Sequence, residues 1–314
     1  MKDFAAAAMM RLVRRGLLRQ GLGLDSSPSP TGALVPLKDK RQLLEQLMQR
    51  HGPPVLLRLG EAVEDASDEP TLSALLAARG PEDLIERWQR LERFVHSRHR
   101  VLTLSRNATG CCLKHLSVGQ DEAPSAAEDL LVFGLLVGLL KRLGVTALQA
   151  RCLGDADWRW QGGQWQATTL PTQTATWELA WHAPVAQGHP LLPVAGTGSP
   201  HAARAALAAD CGASWTLRRL AVALGLTPRT LQRHLNAAGT SFSKLCAEAR
   251  LAHAAHLLID GQEPIAQVGY LSGFTDQAHF SRSFRRLTAM SPSVYRNQFN
   301  RVCPAGTSPS TLTP

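Results

Sequence analysis

The chain has 314 residues, 44% of them hydrophobic and 19% charged, with a formal net charge of +9 and a pI near 9.7. That length accommodates two domains, that apolar content excludes wholesale disorder, and that charge points to an anionic partner without naming one. The excess is local. From Cys211 onward eleven basic residues face four acidic ones, a balance of +7, while the rest, 23 basic against 21 acidic, carries only +2.

Six cysteines (Cys111, Cys112, Cys152, Cys211, Cys246, Cys303) include no C-x-x-C pair, so zinc and dithiol sites have no sequence support. Scattered single thiols suit a reducing cytosol. The opening run 5–10 is too short for a secretory core and meets Arg11, Arg14 and Arg15 at once. The longest apolar run, 130–140, falls short of the roughly 18 residues of a membrane span and reads as a buried helix. A cytoplasmic protein with no cofactor, metal or membrane partner is expected.

In chain order, 9–24 reads as an amphipathic helix and 26–30 as a turn-rich break. Residues 38–50 return to helical spacing, and 81–99 form another helix with the stripe Leu84, Ile85, Trp88, Leu91 and Val95. Residues 101–118 read as a hairpin turning at 107–110. Ser125 and Glu128 make a capping box that opens an apolar helix over 126–143, which Gly144 ends. Short strands follow over 146–183, with Gly162-Gly163 turning a hairpin between Trp160 and Trp165. The stretch 184–199 is rich in Pro and Gly and reads as a linker continuing to about 210. From 215 to 299 everything has helical character, and the tail after Cys303 reads as disordered.

Two segments of this last part repeat one scheme, 217–235 and 265–284, offset by 48–49 residues. In the first, Leu217, Leu220, Ala221 and Leu224 form a stripe, and Gly225 allows a tight turn. Leu226 plugs the turn, Thr227 caps the next helix and Pro228 starts it. With Leu231 and Leu235 facing inward, Arg229 and Arg233 point the other way and Gln232 lies on the flank. Those side chains are donors suited to guanine, adenine or phosphate. In the second, Ile265, Ala266 and Val268 start the support helix, Gly273 and Phe274 make the turn, and Phe280, Phe284 and Leu287 face inward. Ala278, Arg282 and Arg285 then face outward, His279 and Ser281 flank them, and Gln277 sits at the exposed start. A long helix over 242–259 connects the two units. A helical bundle with a charged solvent face explains one such pattern, but not two in order, each with a Gly turn and an Arg-bearing outer face.

Residues 215–299 resemble the DNA-binding domain of AraC/XylS-type regulators. The first unit matches at Leu220-Ala221, Gly225, Thr227, Leu231, Arg233 and Leu235, and the connecting helix at Arg250 and Leu257-Leu258. The second matches at Ile265-Ala266, Gly269-Tyr270, Gly273-Phe274, Phe280, Arg282, Phe284-Arg285, Ser291-Pro292 and Tyr295-Arg296. The resemblance implies two recognition helices in adjacent major grooves. The first would use Arg229, Thr230, Gln232 and Arg233, the second Gln277, Ala278, His279, Ser281 and Arg282, with Arg285, Arg286 and Arg296 on phosphates. One departure is Ala289 where the family usually has Gly, a cost of about 1 kcal/mol if that backbone is left-handed. The first sixty residues resemble the α+β effector domain of the ornithine-utilisation-regulator type through 17–22, Val35-Pro36 and 56–60. This implies small-molecule sensing or dimerisation.

Five tryptophans (Trp158, Trp160, Trp165, Trp177, Trp181) read either as an aromatic effector pocket or, preferably, as cross-strand packing. His253 and His256 lack the carboxylate or cysteine company of a metal pair, and Cys111-Cys112 read as ordinary packing. No Pro-Cys-His-Arg alkyl acceptor, P-loop, G-x-S-x-G or H-E-x-x-H occurs, so no enzyme is expected. The expected architecture is an α+β sensor and dimerisation domain over 1–183 and a linker over 184–210. An all-α domain with two helix-turn-helix motifs joined by a long helix follows over 211–302, with a disordered tail over 303–314. Expected partners are double-stranded DNA, RNA polymerase, a small-molecule effector and a second copy of the chain. The rival readings are a constitutive DNA binder whose N-terminal domain only dimerises, and an enzyme fused to a reader.

Overall fold

The computed structural model describes residues 3–23, 32–65, 69–118, 122–166, 169–182, 199–209 and 215–301. The expected break at 26–30, most of the linker and the tail lie outside them.

A short strand β1 (Phe4–Ala6) leads directly into α1 (Ala7–Arg19) and pairs antiparallel with β2 (Leu34–Pro36). Helices α2 (Leu37–His51) and α3 (Pro53–Arg58) follow, then a 3-10 turn over Leu59–Asp65 and α4 (Pro70–Leu76). β1, β2 and the elements between 53 and 76 escaped the sequence reading, because three-residue strands and six- or seven-residue helices show fewer than two periods.

Helix α5 (Pro81–Val95) ends four residues short of the expected His99. His96 is extended, and its Nδ1 accepts the backbone N–H groups of His99 at 3.0 Å and Arg98 at 3.4 Å. That local bond offers the chain an alternative to the next helical turn. The hairpin β3 (His99–Asn107) and β4 (Gly110–Ser117) turns where expected. Helix α6 (Ala126–Arg142) starts on the expected capping box, with both reciprocal bonds of Ser125 and Glu128 formed. Strands β5 (Gln149–Cys152), β6 (Trp160–Gln161), β7 (Gln164–Trp165) and β8 (Thr176–Ala180) complete an antiparallel sheet in the order β3-β4-β8-β5-β6-β7.

Helix α6 is buried on nearly every side and forms the axis of the N-terminal domain. Its contacts with α3 and with the 3-10 turn are backbone on backbone. A Cβ built on Gly134 would sit 2.3 Å from the Leu57 carbonyl oxygen, and one on Gly138 would sit 2.2 Å from that of Gly60. Only glycine fits such an approach.

The C-terminal part begins with α7 (Ser199–Ala209), where the sequence reading placed linker. Its Ala-rich run has high helix propensity, and Ala203 and Leu207, one turn apart, are fully buried. Helices α8 (Leu217–Ala223) and α9 (Pro228–Ala237) follow, then the connecting helix α10 (Phe242–Asp260). The last three are α11 (Ile265–Leu271), α12 (Gln277–Thr288) and α13 (Pro292–Phe299).

The helical part has two cores. Leu220, Leu231, Leu235 and Leu245 close on Ala203 and Leu207 as a small core of their own. Leu258, Phe280, Phe284, Tyr295 and Phe299 instead join the large core of the N-terminal domain. Polar anchors reinforce that junction. The Tyr295 hydroxyl donates to the Pro70 carbonyl at 2.5 Å, Arg87 to that of Phe299 at 3.0 Å, and Arg301 to that of Ala77 at 2.7 Å.

Candidate nucleic-acid interface

In the first helix pair Gly225 adopts φ 66°, the left-handed backbone the turn requires. Thr227 Oγ1 accepts the Thr230 N–H at 3.2 Å, and Pro228 occupies the first turn of α9. Leu231 and Leu235 are buried, which leaves Arg229, Gln232 and Arg233 exposed on the opposite face. Thr230 is half-buried, its hydroxyl 2.9 Å from that of Thr227, and so serves the cap.

The second pair is built alike. Gly273 has φ 78°, and Asp276 Oδ1 accepts the His279 N–H at 2.7 Å. That bond holds the Asp276 carboxyl below its ordinary range, so the cap is ionised at the positive end of α12. Phe280 and Phe284 are fully buried. Gln277, Ala278, His279 and Arg282 are exposed, and Ser281 is half-buried. The His279 ring stands edge-on to Phe274, with centroids 5.5 Å apart. Arg285 and Arg286 continue the exposed basic face, whereas Arg296 is half-buried, with Nε and Nη2 shielded from solvent. Ala289 has φ 65°, the left-handed conformation for which the sequence anticipated a cost.

The sequence reading missed one surface feature. Val222 and Tyr270 occupy equivalent positions, 48 residues apart, on the first helices of the two pairs, and are 71% and 78% exposed.

It also missed a site in the N-terminal domain. Between α1, α4, α5 and α6 lies a cavity of about 60 Å³, walled by Leu12, Leu72, Leu75, Leu91, Val132 and Leu135 among others. Lys40, Glu92, His96 and His115 close one end of it. None of the five tryptophans singled out from sequence lines this cavity; Trp88 does. Trp160 and Trp165 instead pair across β6 and β7, Trp177 stacks on Phe133 at 5.5 Å, and Trp158 takes Arg151 on its face.

The polar end is almost wholly buried. Lys40 Nζ lies 3.2 Å from His96 Nε2 and 3.0 Å from Glu128 Oε1. Glu128 Oε2 also accepts from Arg41 and from the Ser125 N–H, both at 3.1 Å. His115 Nδ1 and the Thr174 hydroxyl meet the two oxygens of Asp129 at 2.8 and 2.6 Å. Burial lowers Lys40, His96 and His115, and brings His99 down to about 4. Burial also pushes Glu92 up to about 7, against the pull of N–H bonds from Val101 and Trp88. Candidate ligand atoms of His96, His99 and Glu128 converge within 4.8 Å of one another. A metal fits this group poorly. His96 Nδ1 is already an acceptor for backbone N–H groups, which places the ring proton on Nε2, where a metal would need a lone pair. Lys40 Nζ also occupies the approach to that atom. No signal in the sequence joins residues 40, 96, 99, 115 and 128; only the fold does.

Residues 220–298 match the family model of a helix-turn-helix domain. The chain is 38% identical over 84 residues to the urease operon transcriptional activator of Escherichia coli, covering 27% of this chain and 28% of that one. It is 37% identical over 87 residues to the transcriptional activator NphR of a Rhodococcus species, covering 28% and 26%. To the ornithine utilization regulator of Pseudomonas aeruginosa it is 35% identical over 80 residues, covering 26% and 24%. The chain thus spans about a quarter of the length of these curated relatives. Two solved structures are similar over 33% of this chain and 95% of theirs. One is a DNA-binding transcriptional dual regulator from Escherichia coli K-12, at 25% identity and TM-score 0.32. The other is an AraC-type DNA-binding domain-containing regulator from Chromobacterium violaceum, at 27% and 0.31. The C-terminal part of the chain is an AraC-type helix-turn-helix domain. No helix among the described residues is long and apolar enough to cross a membrane.

Proposed function

We propose that the chain is a sequence-specific DNA-binding transcription regulator, with α8–α9 and α11–α12 as two helix-turn-helix units. The carrying observation is the matched division of α9 and α12. Leu231, Leu235, Phe280 and Phe284 are sealed inside, while Arg229, Gln232, Arg233, Gln277, His279 and Arg282 stand in solvent. Arginine and glutamine on an exposed helical face suit the major groove, and Arg285 and Arg286 suit the flanking phosphates. The local charge of +7 supplies the salt-dependent part of the affinity.

The N-terminal domain acts as the sensor. Control by a small molecule at this domain is the first reading, supported by the resemblance of the first sixty residues to an effector domain, and dimerisation alone is the alternative. RNA polymerase and a second copy of the chain are further partners of this reading. Selection of bound duplexes from a random library by the full chain tests it. The expected product is a motif with two contacted segments roughly 10 base pairs apart, one helical turn. Bound DNA no different from the input library would refute sequence-specific reading.

A further inference from the structure

A larger opening lies where the N-terminal domain meets the helical part. Its volume is about 380 Å³, within the range of pockets that hold small molecules. Arg11 of α1 and Glu69, just before α4, stand on one side, and α10 and α12 on the other. The first side is already neutral, because Arg11 donates to both carboxylate oxygens of Glu69, at 2.5 and 2.8 Å. The second side is not. Lys244 and Arg286 have no ion-pair partner among the described residues. Ser283 is 8% exposed, and its hydroxyl has no hydrogen-bond partner among them. Glu248 follows Lys244 by one helical turn, about 6 Å of rise. The two do not pair with each other, and Glu248 instead lies 3.9 Å from Arg204 of α7. Leu251 and Leu287 add apolar surface.

We propose that this cleft binds a free α-amino acid with an apolar side chain, as its zwitterion. The carboxylate meets Lys244 and Arg286 and accepts from the Ser283 hydroxyl. The ammonium meets Glu248, one turn further along α10, and the side chain lies on Leu251 and Leu287. Both charged groups of the ligand then make charge-assisted hydrogen bonds, and the buried hydroxyl gains an acceptor. A zwitterion suits these residues better than a simple acid, whose hydrocarbon would lie against the Glu248 carboxylate. A doubly charged phosphate would meet that carboxylate as a like charge.

Arg286 connects the cleft to the DNA-reading face. It lines the cleft and is also one of the two arginines on α12 suited to a flanking phosphate. A carboxylate in the cleft draws it away from the duplex. This coupling rests on the reading of the chain as a DNA-binding regulator under small-molecule control. It is reciprocal, so the amino acid weakens DNA binding by the factor by which DNA weakens amino-acid binding. Loss of one phosphate contact lowers the slope of log affinity against log salt by about 0.9.

The test is titration calorimetry of the full-length protein with L-phenylalanine, N-acetyl-L-phenylalanine, L-phenylalaninamide and inorganic phosphate. Phenylalanine should bind, and the acetyl and amide forms, each lacking one charge, should bind at least about tenfold more weakly. Absence of phenylalanine binding at millimolar concentration overturns the proposal in the unmodified protein, with no variant that must fold. Equal affinity for the acetyl form would make the ligand a simple acid, and equal affinity for phosphate would make the cleft a phosphate site; either overturns it too. Lys244→Gln should weaken phenylalanine and the acetyl form about tenfold and spare the amide, whereas Glu248→Gln should weaken phenylalanine and the amide and spare the acetyl form. Losses equal across all three ligands would mark a merely structural effect and overturn the placement of that side chain. Saturating phenylalanine should also lower the affinity for a selected duplex and the salt slope; unchanged values overturn the coupling through Arg286. Recovery of a DNA motif by a protein that binds no phenylalanine refutes this site and leaves the regulator reading standing. Phenylalanine binding without any DNA motif does the reverse.

Discussion

Ala289 shows how far a single residue can be argued from both directions. The resemblance marks it as a departure from glycine, and the structure gives it φ 65° at the end of α12, where its N–H donates to the Arg285 carbonyl. A left-handed alanine carries a Cβ penalty that glycine avoids. Ala289→Gly should therefore stabilise the protein by about 1 kcal/mol, despite the larger backbone entropy of glycine in the unfolded chain. Chemical denaturation checks the sign: an unchanged or lower midpoint would mean that the surrounding turn already relieves the strain. At the same scale, Lys40 and His96 show what sequence hides. Neither type is unusual, and their meaning lies in a 3.2 Å contact across 56 positions.

At the level of elements, the contact of α6 with α3 and the 3-10 turn depends on glycine in a way propensity does not predict. Glycine disfavours helices, yet α6 keeps Gly134 and Gly138 because a Cβ at either would enter a carbonyl of the adjoining segment. Gly134→Ala, neutral or favourable on propensity alone, should instead destabilise the protein by about 2–3 kcal/mol through overpacking. A melting temperature equal to the wild type would show that the segments can part at no cost. The elements legible in the sequence were those with several periods, a clear turn or a strong start: α1, α2, the body of α5, the capped α6, the β3–β4 and β6–β7 hairpins and the helices from 217 on. Those that were not are short or are set by tertiary contact. Helix α5 stops at Val95 because the His96 ring captures the following N–H groups, and α7 lay in a stretch whose Pro and Gly obscured its Ala-rich second half. The outward residues of α9 and α12 were readable because the helical period fixes which side faces away from Leu231 and Phe280. Half-burial of Thr230 and Arg296 was not, since a cap bond and end packing have no periodicity.

Across the whole molecule, the two helix pairs differ in attachment. The first closes a small core with α7, while the second is continuous with the core of the N-terminal domain and is pinned by Tyr295, Arg87 and Arg301. The single helix α10 joins them, giving Leu245 and Ala249 to the first core and Leu251 and Leu258 to the second. Binding of full-length protein to a selected duplex and to its scrambled counterpart, for wild type, Arg233→Ala and Arg282→Ala, tests the central claim directly. Each substitution is expected to cost about 1–3 kcal/mol on the selected duplex and much less on the scrambled one. Equal losses on both would place these arginines on phosphate alone, and no loss on either would remove α9 and α12 from the interface.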